Sequence, residues 1–244
     1  MHLKNPLQRL KGRWQPDPIF KKFTINLKQM QKIKAVIFDI DGTLANTIPL
    51  IIQAYRQAVE PLVHLPLSDD EIVATFGPSE EGSIRAIAPD DYKKGTTDFL
   101  RIYKELHNMC PHPFDGITEL LNALKSKRVK LAIATGKGKE TIDISLQCFN
   151  LTGFFDRIEP GSPDGSRKIE AINLILNSWP AIEKDEVIYV GDSPGDITES
   201  HEVGIAAVAA AWAETAKRDK LKETQPDEIF YTVEDFSKWL EGEI

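Results

Sequence analysis

Residues 33–46, IKAVIFDIDGTLAN, pass from a nearly continuous apolar run into two aspartates separated by one residue, followed by Gly42 and Thr43. Ile33, Ala35, Val36, Ile37 and Phe38 show no apolar/polar alternation, the pattern of a parallel strand buried on both faces. Gly42 then turns the chain. In an open parallel sheet ligands sit beyond the carboxyl ends of the strands, so Asp39 and Asp41 stand where chemistry is done rather than where packing is done. Side chains two apart on extended backbone point the same way. Two like charges held that close are costly unless a cation or a proton intervenes.

The second half of the chain repeats the strand-then-polar-turn pattern. Residues 129–134 (VKLAIA) predict another buried strand, ending in Thr135-Gly136-Lys137-Gly138. A hydroxyl and exposed backbone N–H groups at a strand end suit an anion, although a plain strand-to-helix turn has the same composition. A short strand is expected near 155–158. After it, the loop Gly161-Ser162-Pro163-Asp164-Gly165 delivers Lys168 to the head of a helix over 169–176, whose positive end reinforces an anion site. A third clear strand, 187–190, closes in Gly191-Asp192-Ser193-Pro194-Gly195-Asp196, again placing two acids at a strand end. A last strand is expected at 206–209 and a C-terminal helix at 236–240. This βαβα alternation predicts an α/β fold, a parallel sheet with helices on both faces.

Between the first strand and this second half, residues 47–113 read as helical and strand-free. Ile48, Ile51, Ile52, Tyr55, Val59, Leu62 and Val63 recur at three or four residues, with Pro49 at the helix start. Ser68 and Glu71 form a capping-box signature. Two further helices are expected over 79–88 and 92–109, and Pro111, Pro113 and Gly116 mark the return. A basic N-terminal arm (1–32), a core (33–46 and 115–244) and a helical insertion (47–114) hinged at 46–49 and 110–116 is the expected organisation. An insertion at the catalytic end of a sheet is expected to act as a lid that admits only small molecules.

Charge is distributed unevenly. The net charge is −7, yet the first 34 residues hold nine Lys/Arg and one acid, giving +8 and leaving −15 for residues 35–244. In the arm, Phe20, Phe23, Leu27 and Met30 recur at helical spacing between Lys21, Lys22, Lys28 and Lys32. Such a stripe suits a membrane surface or nucleic acid; one short basic stripe is a weak signal for either, and docking on the acidic body of its own chain or of a neighbour is the expectation preferred here. Nucleic acid is not an expected partner, and a homodimer is left open. No segment has the uninterrupted apolar length of a membrane span, and there is no apolar block of a secretory signal. Cys110 and Cys148 lack metal-type spacing. A cytoplasmic protein with reduced core thiols is expected.

Taken in order, Asp39-Ile40-Asp41-Gly42-Thr43, a strand ending in Thr135, Lys168, and Gly191-Asp192-Ser193-Pro194-Gly195-Asp196 resemble the four motifs of the haloacid-dehalogenase-like hydrolase superfamily. The likeness spans residues 35–244, and the helical insertion resembles the small cap of its phosphoglycolate-phosphatase-like branch. The resemblance implies a Rossmann-like three-layer core with an all-helical cap after the first strand. It implies Asp39 as nucleophile, Asp41 as general acid/base, Thr135, Gly136 and Lys168 as phosphate-binding residues, and Asp192 and Asp196 in a Mg²⁺ site. Asn46 stands where the branch has an aspartate.

Elementary electrostatics points the same way. Asp39, Asp41, Asp192 and Asp196 gathered at one sheet edge would repel strongly, and a set of carboxylates calls for a hard divalent cation such as Mg²⁺. The expected activity is hydrolysis of a small soluble phosphate ester through an aspartyl-phosphate. A phosphomutase of the same fold and a non-catalytic binding protein on this scaffold are the alternatives. Dehalogenases of the superfamily lack the second acid, here Asp41. Specificity would lie on the cap, where Glu80, Glu81 and Arg85 are the candidates. Because the first core strand begins only at Ile33, a chain lacking residues 1–32 is expected to retain its turnover of a small ester. A folded but inactive truncation, measured by phosphate release, would show that the arm completes the active site.

Overall fold

The computed structural model describes residues 32–244. The helix expected at 20–30 lies outside the described residues. Six strands form one all-parallel sheet in the order β3-β2-β1-β4-β5-β6. They are β1 (Ala35–Phe38), β2 (Lys130–Ala134), β3 (Arg157–Glu159), β4 (Val187–Gly191), β5 (Ala206–Ala210) and β6 (Glu228–Phe230). β1, β4 and β5 are buried throughout, as unalternating apolar strands covered on both faces must be.

Alternate side chains of these strands feed two different cores. Val36, Phe38, Leu131, Ile133, Ile188 and Val190 point into a layer completed by α5 (Ile117–Ser126), α6 (Lys139–Cys148) and α10 (Val233–Glu243). Ala35, Ile37, Ala132, Ala134 and Tyr189 point the other way, against Ala171, Ile172 and Ile175 of α7 (Lys168–Ser178) and Val203 of α8 (Pro194–Val203). The result is a three-layer α/β core. Strand order reverses between β1 and β4, so the crevice beyond their carboxyl ends is a topological switch point, and residues 39–43 and 192–196 both emerge there.

The insertion consists of α1 (Ile48–Val63), α2 (Asp69–Val73), α3 (Glu80–Ile87), α4 (Tyr92–Glu105) and a 3₁₀ turn, His107–Met109, with no strand. Ser68 caps α2 in the expected box, accepting from Glu71 N at 3.3 Å while Ser68 N donates to Glu71 Oε2 at 2.8 Å. An aromatic ladder ties this cap to the core. Tyr55 packs on Phe99 (5.8 Å between centroids), Phe99 on Tyr103 (5.7 Å), Tyr103 on His107 (5.4 Å), and His107 on Phe149 beyond α6 (5.0 Å). Cap and core therefore share one continuous apolar cluster.

The structure corrects the sequence reading at the C-terminal side. Residues 206–209 are not in the last strand, because β6 follows, separated by α9 (Arg218–Glu223). β6 is three residues long and only half-buried, too short for a readable pattern. α8 was also not expected: its apolar residues are sparse, and its start is set by Ser193, whose hydroxyl accepts from Asp196 N. Cys110 is buried and Cys148 half-buried, both as free thiols. Among the described residues no helix is long and apolar enough to cross a membrane.

His107 is a buried imidazole with neither ring nitrogen hydrogen-bonded. Burial pushes its pKa below the usual 6.5; neighbouring backbone polar groups at His107 and Cys110 oppose this in part, and the Lys137 charge adds to it. The unfolded chain then takes up a proton near pH 6.5 that the folded chain resists, so stability is lost as pH falls below that value. His107→Phe, which keeps an aromatic ring in the ladder, is expected to make the fall in Tm between pH 7 and pH 5 shallower. An unaltered slope in thermal melts across that range would refute this assignment.

Candidate active site

Asp39 leaves β1 with its backbone N–H on Val190 O (2.9 Å) and its Oδ1 accepting from Ile40 N (2.6 Å). Its Oδ2 meets Lys168 Nζ at 2.9 Å. Lys168, the first residue of α7, also pairs with Asp196 Oδ1, and its ammonium lies 5.3 Å from the centre of the Tyr189 ring. Asp196 is completely buried and held from three sides: Ser193 N donates to Oδ2 (2.9 Å), while Lys168 and the Tyr189 hydroxyl (3.4 Å) reach Oδ1. Asp192 makes no side-chain hydrogen bond among the described residues. Two glycines allow this crowding. A Cβ on Gly42, whose φ is +73°, would lie 2.1 Å from Asp192 Oδ2, and one on Gly191 would lie 2.4 Å from the Asp196 carboxylate.

The electrostatics follow from burial. It raises the Asp192 pKa well above the usual carboxylate range, helped by Asp196 and Asp39, and it raises that of Asp196 against the pull of Lys168. Burial works against the Lys168 charge, but Asp196 and Asp39 outweigh it and keep the ammonium protonated. Removing that lysine would leave buried carboxylates uncompensated, a change that typically costs about 3–5 kcal/mol.

Asp41 belongs to a second cluster. Its carboxylate accepts from Thr47 Oγ1 and from Lys137 Nζ, at 3.0 Å to Oδ1 and 3.3 Å to Oδ2. Lys137 is buried, 4.7 Å from the centre of the Tyr103 ring and 3.6 Å from Glu80 Oε1. Burial raises the Asp41 pKa, Lys137 opposes the rise and Asp39 adds to it. Asp41 and Lys137 thus form a buried pair joining the first strand, the loop after β2 and the cap.

The structure gives several of the expected site residues other partners. Asp41 was grouped with Asp39, Asp192 and Asp196 as a metal carboxylate, but the three-carboxylate cluster contains only the other three. The turn at Gly42 separates it, and its side chain is committed to Lys137 and Thr47. Glu80 does line the cavity, yet its carboxylate is engaged by the core: Oε2 accepts from Gly138 N and Oε1 from Thr141 Oγ1, both at 2.7 Å. Arg85 donates to Pro163 O and Asp164 Oδ1, each at 2.8 Å, and lies outside the cavity lining, as does Glu81 beside it. Glu80 and Arg85 clamp α3 onto the core; Gly82 presses so near that a Cβ would meet Pro163 O at 2.2 Å. Thr135 and Gly136 line the cavity with Asp39, Asp41, Lys168 and Asp192. The sequence reading missed Lys137. It lies two residues after Thr135 in a turn already singled out, but a lysine there reads as solvated surface until the cap is folded over it.

A family model described as haloacid dehalogenase-like hydrolase matches residues 36–210. The chain belongs to the haloacid dehalogenase-like hydrolase family. It is 27% identical over 210 residues to pyrophosphatase PpaX of Halalkalibacterium halodurans, covering 84% of this chain and 95% of that one. Among solved structures it is similar to a protein of Haemophilus somnus described as a predicted phosphoglycolate phosphatase (TM-score 0.72, 23% identity, 86% of this chain and 99% of that one). It is also similar to a haloacid dehalogenase-like hydrolase of Streptococcus pneumoniae (TM-score 0.69, 25% identity, 85% and 98%).

In this family member, the carboxylates of Asp39, Asp192 and Asp196 offer oxygens that lie within 4.8 Å of one another. Three carboxylates against one ammonium leave a formal charge of −2, and an all-oxygen donor set of that charge fits a hard divalent cation. Mg²⁺ is therefore expected to raise Tm over an EDTA-treated sample, by about 2.7 kcal/mol of stability at a hundredfold excess over Kd. Asp192→Asn should be at least as stable as wild type in EDTA, because a repulsion is removed, while gaining less from Mg²⁺. Equal Mg²⁺ shifts for both proteins would contradict this cation site.

Proposed function

We propose that this phosphatase hydrolyses a small soluble phosphate monoester through an aspartyl-phosphate on Asp39, with Mg²⁺ as cofactor. One observation carries the reading: a carboxylate held by Lys168 and a second carboxylate held by Lys137 face one cavity of about 560 Å³. Mg²⁺, when bound, supplies the positive charge that lets an anionic nucleophile approach an anionic phosphate.

The remaining chemistry belongs to side chains. An Asp39 oxygen forms a bond to phosphorus as the bond from phosphorus to the ester oxygen breaks. Protonated Asp41 gives its proton to that leaving oxygen. A water molecule then attacks phosphorus, its proton passes to the Asp41 carboxylate, and the acyl-phosphate bond breaks to release phosphate and restore Asp39. Asp41 must be stable in both states. Burial favours its neutral form and Lys137 its anion, so neither is excluded. Lys168 and the N–H groups after Thr135 would meet the phosphoryl oxygens. The cap, clamped by Glu80 and Arg85, would exclude bulk water and polymeric substrates.

The test is phosphate release from a small ester in Mg²⁺. Asp39→Asn should lose more than about a thousandfold in turnover, the scale of removing a nucleophile. Lys137→Met should lower kcat with little change in KM, since Lys137 acts by positioning Asp41, and Lys137→Arg should recover part of the loss. Near-wild-type turnover by Asp39→Asn would defeat the mechanism. Transfer of the phosphoryl group to a sugar without phosphate release would replace hydrolysis with a mutase reaction.

A further inference from the structure

The cavity has two unlike walls. The core side carries the carboxylates and lysines described above. The cap side is mainly apolar: Ile48, Ile51, Ile52 and Tyr55 from α1, Val73 from α2, and Phe76 from the turn after it, with Asp70, Glu80 and Ser83 as its polar members. Phe76 is 37% exposed, a large apolar side chain facing this space rather than packed into the core.

No cationic side chain stands in the cap wall among the described residues that line the cavity. The two buried lysines are already committed, Lys137 to Asp41 and Glu80, and Lys168 to Asp39 and Asp196. Lys217, the other lysine at the cavity, is exposed and belongs to the core, after β5. Asp70, Glu80 and Glu199 also border the cavity and add negative charge. A substrate with a second anionic group, such as a carboxylate or a second phosphate, would bring that group against apolar side chains and the Asp70 and Glu80 carboxylates on the cap side, with the nearest uncommitted lysine, Lys217, on the core side, which is unfavourable.

We infer that the wall formed by Ile48, Ile51, Ile52, Tyr55, Val73 and Phe76 is a leaving-group subsite for an uncharged, largely apolar alcohol. This rests on the phosphatase reading and narrows its substrate class. It sets this chain apart from an enzyme that acts on pyrophosphate or phosphoglycolate, both of which carry a second anion. α1 lays three isoleucines and a tyrosine at helical spacing along one face, and that face lines the same cavity as Asp39, Thr135 and Lys168.

The experiment compares kcat/KM of the full-length protein in Mg²⁺ for ethyl, butyl and hexyl phosphate with the values for phosphoglycolate and pyrophosphate. Leaving-group basicity is nearly constant along the alkyl series, so its slope reads burial rather than chemistry. A rise of roughly threefold to fourfold per methylene is expected until the wall is covered, with hexyl phosphate ahead of both competitors that carry a second anionic group. Phe76→Lys, at a half-open position, should shift the ratio of phosphoglycolate to hexyl phosphate at least about tenfold toward phosphoglycolate. A flat alkyl series, faster turnover of phosphoglycolate or pyrophosphate than of hexyl phosphate, or an unchanged ratio in Phe76→Lys overturns the subsite while leaving the phosphatase in place. Release of phosphate from none of the five compounds overturns the phosphatase reading, and the subsite with it.

Discussion

Three carboxylates crowded at the ends of β1 and β4, with one ammonium among them, set the terms for the rest of this molecule. Their oxygens lie within 4.8 Å of one another, close enough that the like charges repel strongly and that burial raises the Asp192 and Asp196 pKa values. The fold tolerates this because three of the four groups are also held by something other than one another. Asp196 is fixed by the N-terminal cap of α8, Lys168 by its place at the head of α7, and Asp39 by the backbone of β1 and its own turn. Gly42 and Gly191 provide the space. A side chain at either position would occupy the volume the carboxylates need.

A second charge cluster joins the cap to that centre. Lys137 spans Asp41 on the core and Glu80 on α3 and is covered by Tyr103 of α4. Seating the cap thus buries the lysine, and the buried lysine in turn holds the proposed acid/base residue. The two lysines divide the labour: Lys168 balances Asp39 and Asp196, and Lys137 balances Asp41. With both engaged, no cation stands on the cap side of the cavity among the described residues that line it.

Much of the architecture was legible in the chain. Nearly continuous apolar runs at 33–38, 129–134 and 187–190 announced buried parallel strands, since a strand covered on both faces carries apolar side chains on both. Polar, glycine-bearing turns after them placed the candidate site at the carboxyl end of the sheet. The strand-free helical periodicity of 47–113 announced the insertion, and Ser68 with Glu71 marked one of its helix starts. β6 and α8 were not legible, one because three half-buried residues carry no period, the other because its boundary depends on a hydroxyl cap more than on apolar spacing.

The sequence by itself determined which groups arrive at the sheet edge: Asp39, Asp41, Asp192 and Asp196 follow strand ends, and strand order in a parallel sheet brings those ends together. Only the tertiary structure decided how they pair. Asp41 turned away to Lys137, Glu80 bound the loop after β2, and Arg85 clamped the loop after β3. Local pattern reports which side of an element is apolar, because that follows from a period of two or 3.6 residues. Which of several nearby cations a carboxylate takes depends on distances between residues far apart in the chain, and burial makes those distances decisive by removing the water that would otherwise screen every pair alike.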